Sequence, residues 1–391
     1  MLCMSKLRTS ALSPGLVQSE IRAMSLLADE VGGINMAQGI CDTDVPDVVV
    51  QGAETAIETG HNIYTRQDGI ARLRRAISAD WQRRNGIAPN PETEVVITSG
   101  ATGAFYTAAM ALLDAGDEAI LFEPMYSYHA ATLRGLGVTP VIVSLEYGSW
   151  ALDLDAVRAA ISPKTRVIII NTPSNPCGKI FTRTELEGLA QLAIEHDLFV
   201  FSDEIYEHFV YPGHEHVSMA TLPEMGKRTI TLSGFSKTFS VTGWRVGYLI
   251  ADAKWTPTIG YFNDTVYVCA PAPFQHGCAA GLEELPPSFY TDMALDHNRK
   301  RALTVAALTD AGLTPHVPDG AYYILADATP LRGETAAAKA RDLLARTGVA
   351  AVAGSAFFRK GSGENLLRFC FAKRDADLAE ACKRLRTLSA S

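Results

Sequence analysis

The chain has 391 residues, 47% of them hydrophobic and 20% charged, with a formal net charge of −8. That length allows two or three domains around a large core, and the composition excludes a disordered chain. The acidic balance argues against a general nucleic-acid binder, which would want a basic face.

The N-terminus, MLCMSKLRTS, has no apolar h-region, and no run approaches the roughly 20 residues that span a bilayer. Seven cysteines, an odd number without any CxxC pair, read as reduced thiols. A cytoplasmic protein with neither membrane nor nucleic acid as partner is expected. The basic cluster RQDGIARLRR (66–75), like NRKR (298–301) further on, is expected on solvated helix faces.

From residue 94 short apolar runs alternate with helical patterns. EVVITSG (94–100) precedes the helical AFYTAAMALLDAG (104–116), and EAILFEP (118–124) and TPVIVSL (139–145) follow. Then come a helix at 153–161, TRVIIINT (165–172) and a helix at 182–197, opened by the capping box Thr182 and Glu185. LFVFSDE (198–204), RTITLSG (228–234) and RVGYLIA (245–251) complete the series. Strands alternating with such helices predict an α/β fold with a mostly parallel sheet covered on both faces.

After about residue 285 long amphipathic stretches bracket AYYILAD (321–327) and NLLRFCFA (365–372). A second, smaller α+β domain is expected there, with LPPS (285–288) at the junction. The predicted division is a large domain at 47–284 and a small domain formed by 1–46 with 285–391.

Ligands in open α/β sheets gather at the carboxyl ends of the strands. There the central runs deliver Thr102, Tyr126, Asn175, Asp203, Tyr206 and Lys237 to one rim. Each alone has a bland reading: SGATG is a strand-to-helix connection, Asn175-Pro176 a turn, Asp203 a helix cap. Their joint arrival is harder to dismiss.

The small-residue loop around Ala101 and Thr102 opens a helix, so free backbone N–H groups face an anion. Arg245 and Ser236 add a cation and a hydroxyl. A buried carboxylate at Asp203 needs a cationic partner, such as a protonated ring nitrogen. Tyr206 and Asn175 suit a phenolic oxygen, Tyr126 offers a stacking face, and Lys237 is an amine that can form a Schiff base with an aldehyde. Together these describe pyridoxal 5′-phosphate.

The motifs YTRQDGIARLRRAI (64–77), SGATGA, NTPSNPCG, SDEIY, SGFSKTFSVTGWRVGY and LLRFCFA, in this order, cover nearly the whole chain. It resembles the class I/II aminotransferases of the fold-type I pyridoxal-phosphate superfamily. The resemblance implies that Lys237 carries the cofactor, Arg245 grips its phosphate, and Asp203 keeps the ring nitrogen protonated. It further implies that Arg368 takes the substrate α-carboxylate in a bidentate fork and that the substrate passes close to Gly39. Tyr64 would reach the phosphate of a neighbouring subunit, making a homodimer with composite sites.

Two departures stand out: Cys177 where the NPxG turn often has threonine, and Gly234 where some relatives have a phosphate-binding serine. Ser236 or Ser233 could supply that hydroxyl.

The implied reaction is ping-pong transamination between an L-amino acid and a 2-oxo acid. A rival keeps the fold and cofactor but ends in elimination, replacement or oxidation. A sensor with an aminotransferase-like domain would need a DNA-binding extension ahead of the small domain, which is expected to be missing. An NAD- or phosphate-ester-binding protein would leave Lys237, Asp203 and Tyr206 without roles. GxxxxGK[ST], HExxH, GxSxG and GxGxxG are absent, and no metal is expected.

For the donor side chain, Trp255 to Asn298 contains no lysine or arginine and offers Tyr261, Phe262, Tyr267 and Phe274. An aromatic or large apolar donor is therefore expected over aspartate. The alternative is that Arg8 or Arg22 supplies a cation for a distal substrate carboxylate.

Overall fold

The computed structural model describes residues 8–9 and 20–390. Its centre is a seven-stranded sheet in the order 95–99, 246–250, 229–234, 199–203, 165–171, 118–123 and 139–144. Val246–Ile250 runs antiparallel to both neighbours, and the other pairings are parallel. Each of the seven apolar runs read from residue 94 onward is one of these strands. The middle strands are continuous apolar runs because helices cover both faces, and Val167 to Ile170 are buried.

The antiparallel strand matters for the site. Its amino end, not its carboxyl end, lies at the rim where the parallel strands finish, so Arg245 sits just before the strand rather than after one.

A second sheet has four antiparallel strands in the order 352–353, 366–370, 323–327 and 314–315. Ile34–Asn35 pairs in parallel with Val349–Ala350, which ties the N-terminal segment to the C-terminal part. The helix Pro287–Asp310 runs for 24 residues from the LPPS stretch.

The capping box is made: Thr182 accepts from the Glu185 amide, and Glu185 reaches back to the Thr182 amide. Glu185 also takes the buried Lys179 ammonium at 2.7 Å.

Some expectations need correcting. SGATGA is not a loop ahead of a helix at 104; the helix is Gly100–Leu112, so these small residues are its first turns. The helices Ser127–Gly135, Thr256–Tyr267 and Ala272–Glu284 were not foreseen.

The basic clusters are not wholly solvated either. Arg74 has 0% side-chain exposure and pairs with Asp68 at 3.3 Å and Glu92 at 3.2 Å. Lys300 is buried and meets Asp296 at 2.8 Å. The local carboxylates Asp68 and Asp296 are joined by Glu92 and Asp375, which the fold brings in, and together they compensate these burials.

Candidate active site

The rim opens on a cavity of about 680 Å³. Gly39, Ala101, Thr102, Tyr126, Asn175, Asp203, Tyr206, Ser236, Lys237, Arg245 and Arg368 all line it. Tyr64 does not. It is 79% exposed, on a separate recess with His61, Ile63 and His276.

One end of the cavity is built for an anion. The helix Gly100–Leu112 begins there, and the first N–H groups of a helix have no intrahelical acceptor. Gly100 has φ +70°, and a Cβ on it would collide with the Arg245 guanidinium. Glycine thus lets the cation lie against the first turn. Arg245 is itself in the left-handed region, φ 55°, and its Nη1 donates to the Thr242 carbonyl at 3.0 Å.

The two candidate serines differ in surroundings. Ser233 Oγ points away and donates to buried Glu207 at 3.0 Å, whereas Ser236 faces the cavity. Gly234 has no room for a side chain, since a Cβ there would lie 2.8 Å from Gly247 Cα on the paired strand. Cys177 is buried in its turn, its thiol 3.5 Å from Ser174 Oγ.

At the other end, Asp203 Oδ2 lies 3.1 Å from His129 Nε2, and Oδ1 accepts from the Ile205 amide at 3.3 Å. Phe105 stacks on the His129 ring at 4.4 Å and Tyr126 meets its edge at 5.2 Å. Asn171 fixes the strand ends: its Nδ2 donates to the Asp203 carbonyl at 3.1 Å, and its Oδ1 accepts from the Asn175 amide at 2.7 Å.

The segment DEIYE splits its side chains. Asp203 and Tyr206 face the cavity. Glu204 turns inward to Ser202, Ser218 and His216, and Glu207 to Ser233, Tyr248 and Arg84.

Lys237 Nζ donates to the Gly39 carbonyl at 2.9 Å. Burial lowers its pKa from 10.5 to about 8; Cys370 and Cys41 oppose this shift, while Arg368 and Arg245 reinforce it. Tyr206 Oη lies 2.8 Å from Tyr323 Oη, and burial, with Tyr323 adding, holds its phenol well above 10. It stays a neutral donor.

Arg368, 1% exposed, donates to Asn175 Oδ1 at 2.8 Å and to the Ala37 carbonyl at 2.6 Å. Its guanidinium sits between the Tyr323 and Phe357 rings, 4.4 and 4.7 Å from their centroids. No described carboxylate pairs with it, and its Nε has no partner. A buried cation so prepared calls for an anionic ligand. A Cβ on Gly39 would collide with the Tyr323 hydroxyl, so this position admits only glycine.

The donor set therefore fits a group with an anion at the helix end, a protonated nitrogen facing Asp203 and an acceptor facing Tyr206 and Asn175. A carbonyl within reach of Lys237 would complete it.

His129, Asn171 and Tyr323 escaped the sequence reading as site residues. Asn171 stands in the quoted NTPSNPCG block and could have been found there. Arg22 lines the cavity, and Arg8 does not. Tyr261 is 66% exposed, Tyr267 packs beside Gly103, and Phe274 stacks on Trp244 at 4.6 Å. Those three, like Phe262, do not line their own chain's cavity.

Residues 31–385 match the family model for aminotransferase class I and II. The probable N-succinyldiaminopimelate aminotransferase DapC of Mycobacterium tuberculosis is 36% identical over 377 residues, covering 94% of this chain and 95% of that one. Aromatic-amino-acid aminotransferase 2 of Thermococcus litoralis is 34% identical over 370 residues, with 94% of each chain covered. The solved structure of the M. tuberculosis N-succinyldiaminopimelate aminotransferase superposes with a TM-score of 0.94 at 35% identity, over 97% of this chain and 100% of that one. The chain belongs to the class I and II aminotransferases, with the fold-type I architecture, and is an aminotransferase. Elimination or oxidation on the same fold is not favoured.

Proposed function

We propose that this aminotransferase holds pyridoxal 5′-phosphate on Lys237 and moves the amino group of an aromatic or large apolar L-amino acid to a 2-oxo acid, both substrates using one site in turn. The observation that carries this is a buried amine of lowered basicity in one cavity with Asp203 and the unpaired Arg368. When bound, the cofactor supplies a carbonyl for the amine and a ring that accepts the electron pair left at the substrate Cα.

The chain's residues do the rest. The amides of Ala101 and Thr102, Ser236 and Arg245 hold the phosphate. Asp203, braced by His129, holds a proton on the ring nitrogen. Tyr206 and Asn175 Nδ2 donate to the phenolic oxygen, and Tyr126 supplies a stacking face. Arg368 binds the α-carboxylate, and Gly39 leaves space beside it. Lys237 Nζ takes the Cα proton.

Phe105, Tyr128, Ile21 and Ile40 line the same cavity and support a large apolar donor. Burying such a side chain contributes roughly 1.5–3 kcal/mol, and the T. litoralis relative is named for aromatic amino acids. Phenylalanine, methionine and kynurenine should exceed aspartate in kcat/KM. A clear preference for aspartate would sink the donor assignment.

The reading extends to a homodimer in which the exposed Tyr64 serves the partner's phosphate. Mixed Lys237→Ala and Tyr64→Ala subunits, each inactive alone, should regain part of the activity through hybrid dimers. An active monomer in sedimentation equilibrium would end this idea. We also place the large domain at 47–284 and the small domain at 1–46 with 285–391. A cytoplasmic setting is supported by the six described cysteines, all unpaired.

A further inference from the structure

Tyr323 stands where three parts of the cavity meet. It opens the strand Tyr323–Asp327 of the second sheet and is 1% exposed. Its hydroxyl lies 2.8 Å from Tyr206 Oη and fills the space that a Cβ on Gly39 would need. Its ring lies under the Arg368 guanidinium, 4.4 Å from centroid to carbon. The proposed reaction gives duties to Tyr206, Arg368 and Gly39, and none to the side chain that touches all three.

Hydrogen counting fixes the direction of the bond between the two phenols. Each has a single hydrogen to donate. Burial holds both above the ordinary phenol range, so neither ionises near neutral pH. With the Tyr206 hydrogen directed at the cofactor oxygen, the hydrogen between the phenols comes from Tyr323. A hydroxyl that accepts one hydrogen bond is polarised into a stronger donor of the next. Packing alone would not supply this. The edges and faces of Tyr322 and Tyr323, at 5.2 and 5.6 Å, hold the Tyr206 ring, but its hydroxyl still rotates.

The ring of Tyr323 does a different thing for Arg368. An aromatic face attracts a guanidinium without supplying a counter-charge. Tyr323 on one side and Phe357 on the other therefore fix its plane and leave its charge for a ligand.

We propose that Tyr323 is a positioning residue for the reaction: its hydroxyl fixes the Tyr206 hydrogen on the cofactor oxygen, and its ring fixes the Arg368 guanidinium for the substrate α-carboxylate. The inference rests on the roles read for Tyr206 and Arg368.

The hydroxyl is tested by the visible absorption of the holoenzyme against pH, without substrate. The Lys237 nitrogen, once joined to the cofactor, holds a proton beside the phenolic oxygen. A weaker Tyr206 donor leaves more negative charge on that oxygen and tightens the hold on the proton. Tyr323→Phe keeps the ring and removes the hydroxyl, so the titration midpoint should rise by about half a unit to one unit, the effect of one hydrogen bond. Tyr206→Phe should raise it further, and the double variant should match Tyr206→Phe alone. The other ionisable groups facing the two phenols, Tyr126, Tyr322, Lys237, Cys370 and Arg368, are the same in every variant.

The ring is tested by titration calorimetry with the unreactive butyrate. Tyr323→Phe should bind it as the wild type does, whereas Tyr323→Leu should lose about tenfold, the effect of one desolvated cation–ring contact. Thermal unfolding and bound-cofactor stoichiometry control for folding, with Tyr323→Met as the second variant should Tyr323→Leu unfold.

A midpoint that Tyr206→Phe moves and Tyr323→Phe does not overturns the role of the hydroxyl. Equal butyrate affinity with and without the ring overturns the role of the ring. If Tyr206→Phe itself leaves the midpoint in place, the reading of Tyr206 has failed and the hydroxyl role falls with it.

Discussion

Replacing Lys237 with alanine should lower turnover by at least about 10⁴-fold, the upper range for removing a positioned proton-transfer group, and more if the amine is also the attachment point. The expectation rests on placement. Lys237 follows the strand Thr229–Gly234, and its Nζ is buried and held on the Gly39 carbonyl at 2.9 Å, beside the path assigned to the substrate.

The pH dependence has a definite sign. Burial disfavours the ammonium, so the folded pKa of about 8 lies below the ordinary 10.5. The neutral amine is the nucleophile. Capture of an aldehyde by the cofactor-free protein should therefore accelerate as pH rises through about 8 and level off above it. Borohydride reduction followed by peptide mapping should place the label on Lys237. A label on another lysine, or a capture rate flat between pH 7 and 9, would remove the assignment.

What could be read from the chain, and what could not, divides along physical lines. The seven central strands were legible because fully buried parallel strands leave long apolar runs, each ending in turn-forming polar residues. The cavity-facing residues at those ends were legible for the same reason, since every parallel strand finishes at one rim.

His129 was not, because its role is a contact to Asp203 across an intervening strand, from a helix with little pattern of its own. Tyr323 belongs to the other sheet and reaches Tyr206 only after the two sheets pack. Arg74 and Lys300 show the same limit from the other side. Their sequence neighbourhoods read as solvated, and the distant carboxylates Glu92 and Asp375 that join the local Asp68 and Asp296 are set by tertiary structure.

That Tyr261, Phe262, Tyr267 and Phe274 lie off their own chain's cavity has a related cause. Aromatic composition records apolar surface to be buried, not which cavity receives it.

Asp203→Asn should slow removal of the substrate Cα proton by about 10³-fold while leaving the fold intact. Asparagine has the shape of the carboxylate, so the surrounding packing is unchanged, although its single oxygen can face only one of the Ile205 amide and His129 Nε2. What is lost is the negative charge. An amide presenting its NH₂ group toward the ring would oppose a proton on the ring nitrogen, and the nitrogen would lose its hold on that proton. The ring would then stabilise the electron pair at Cα poorly, and losses of about 10²–10³ accompany removal of a single preorganised electrostatic partner. Deuterium exchange at Cα reads this step directly, apart from binding and product release. His129→Asn should cost far less, about tenfold, because it removes a brace and leaves the charge. Thermal unfolding of both variants serves as the control for folding. If Asp203→Asn exchanges the Cα proton within tenfold of the wild type, Asp203 is not the partner of the ring nitrogen, and the orientation assigned to the cofactor in this cavity is wrong.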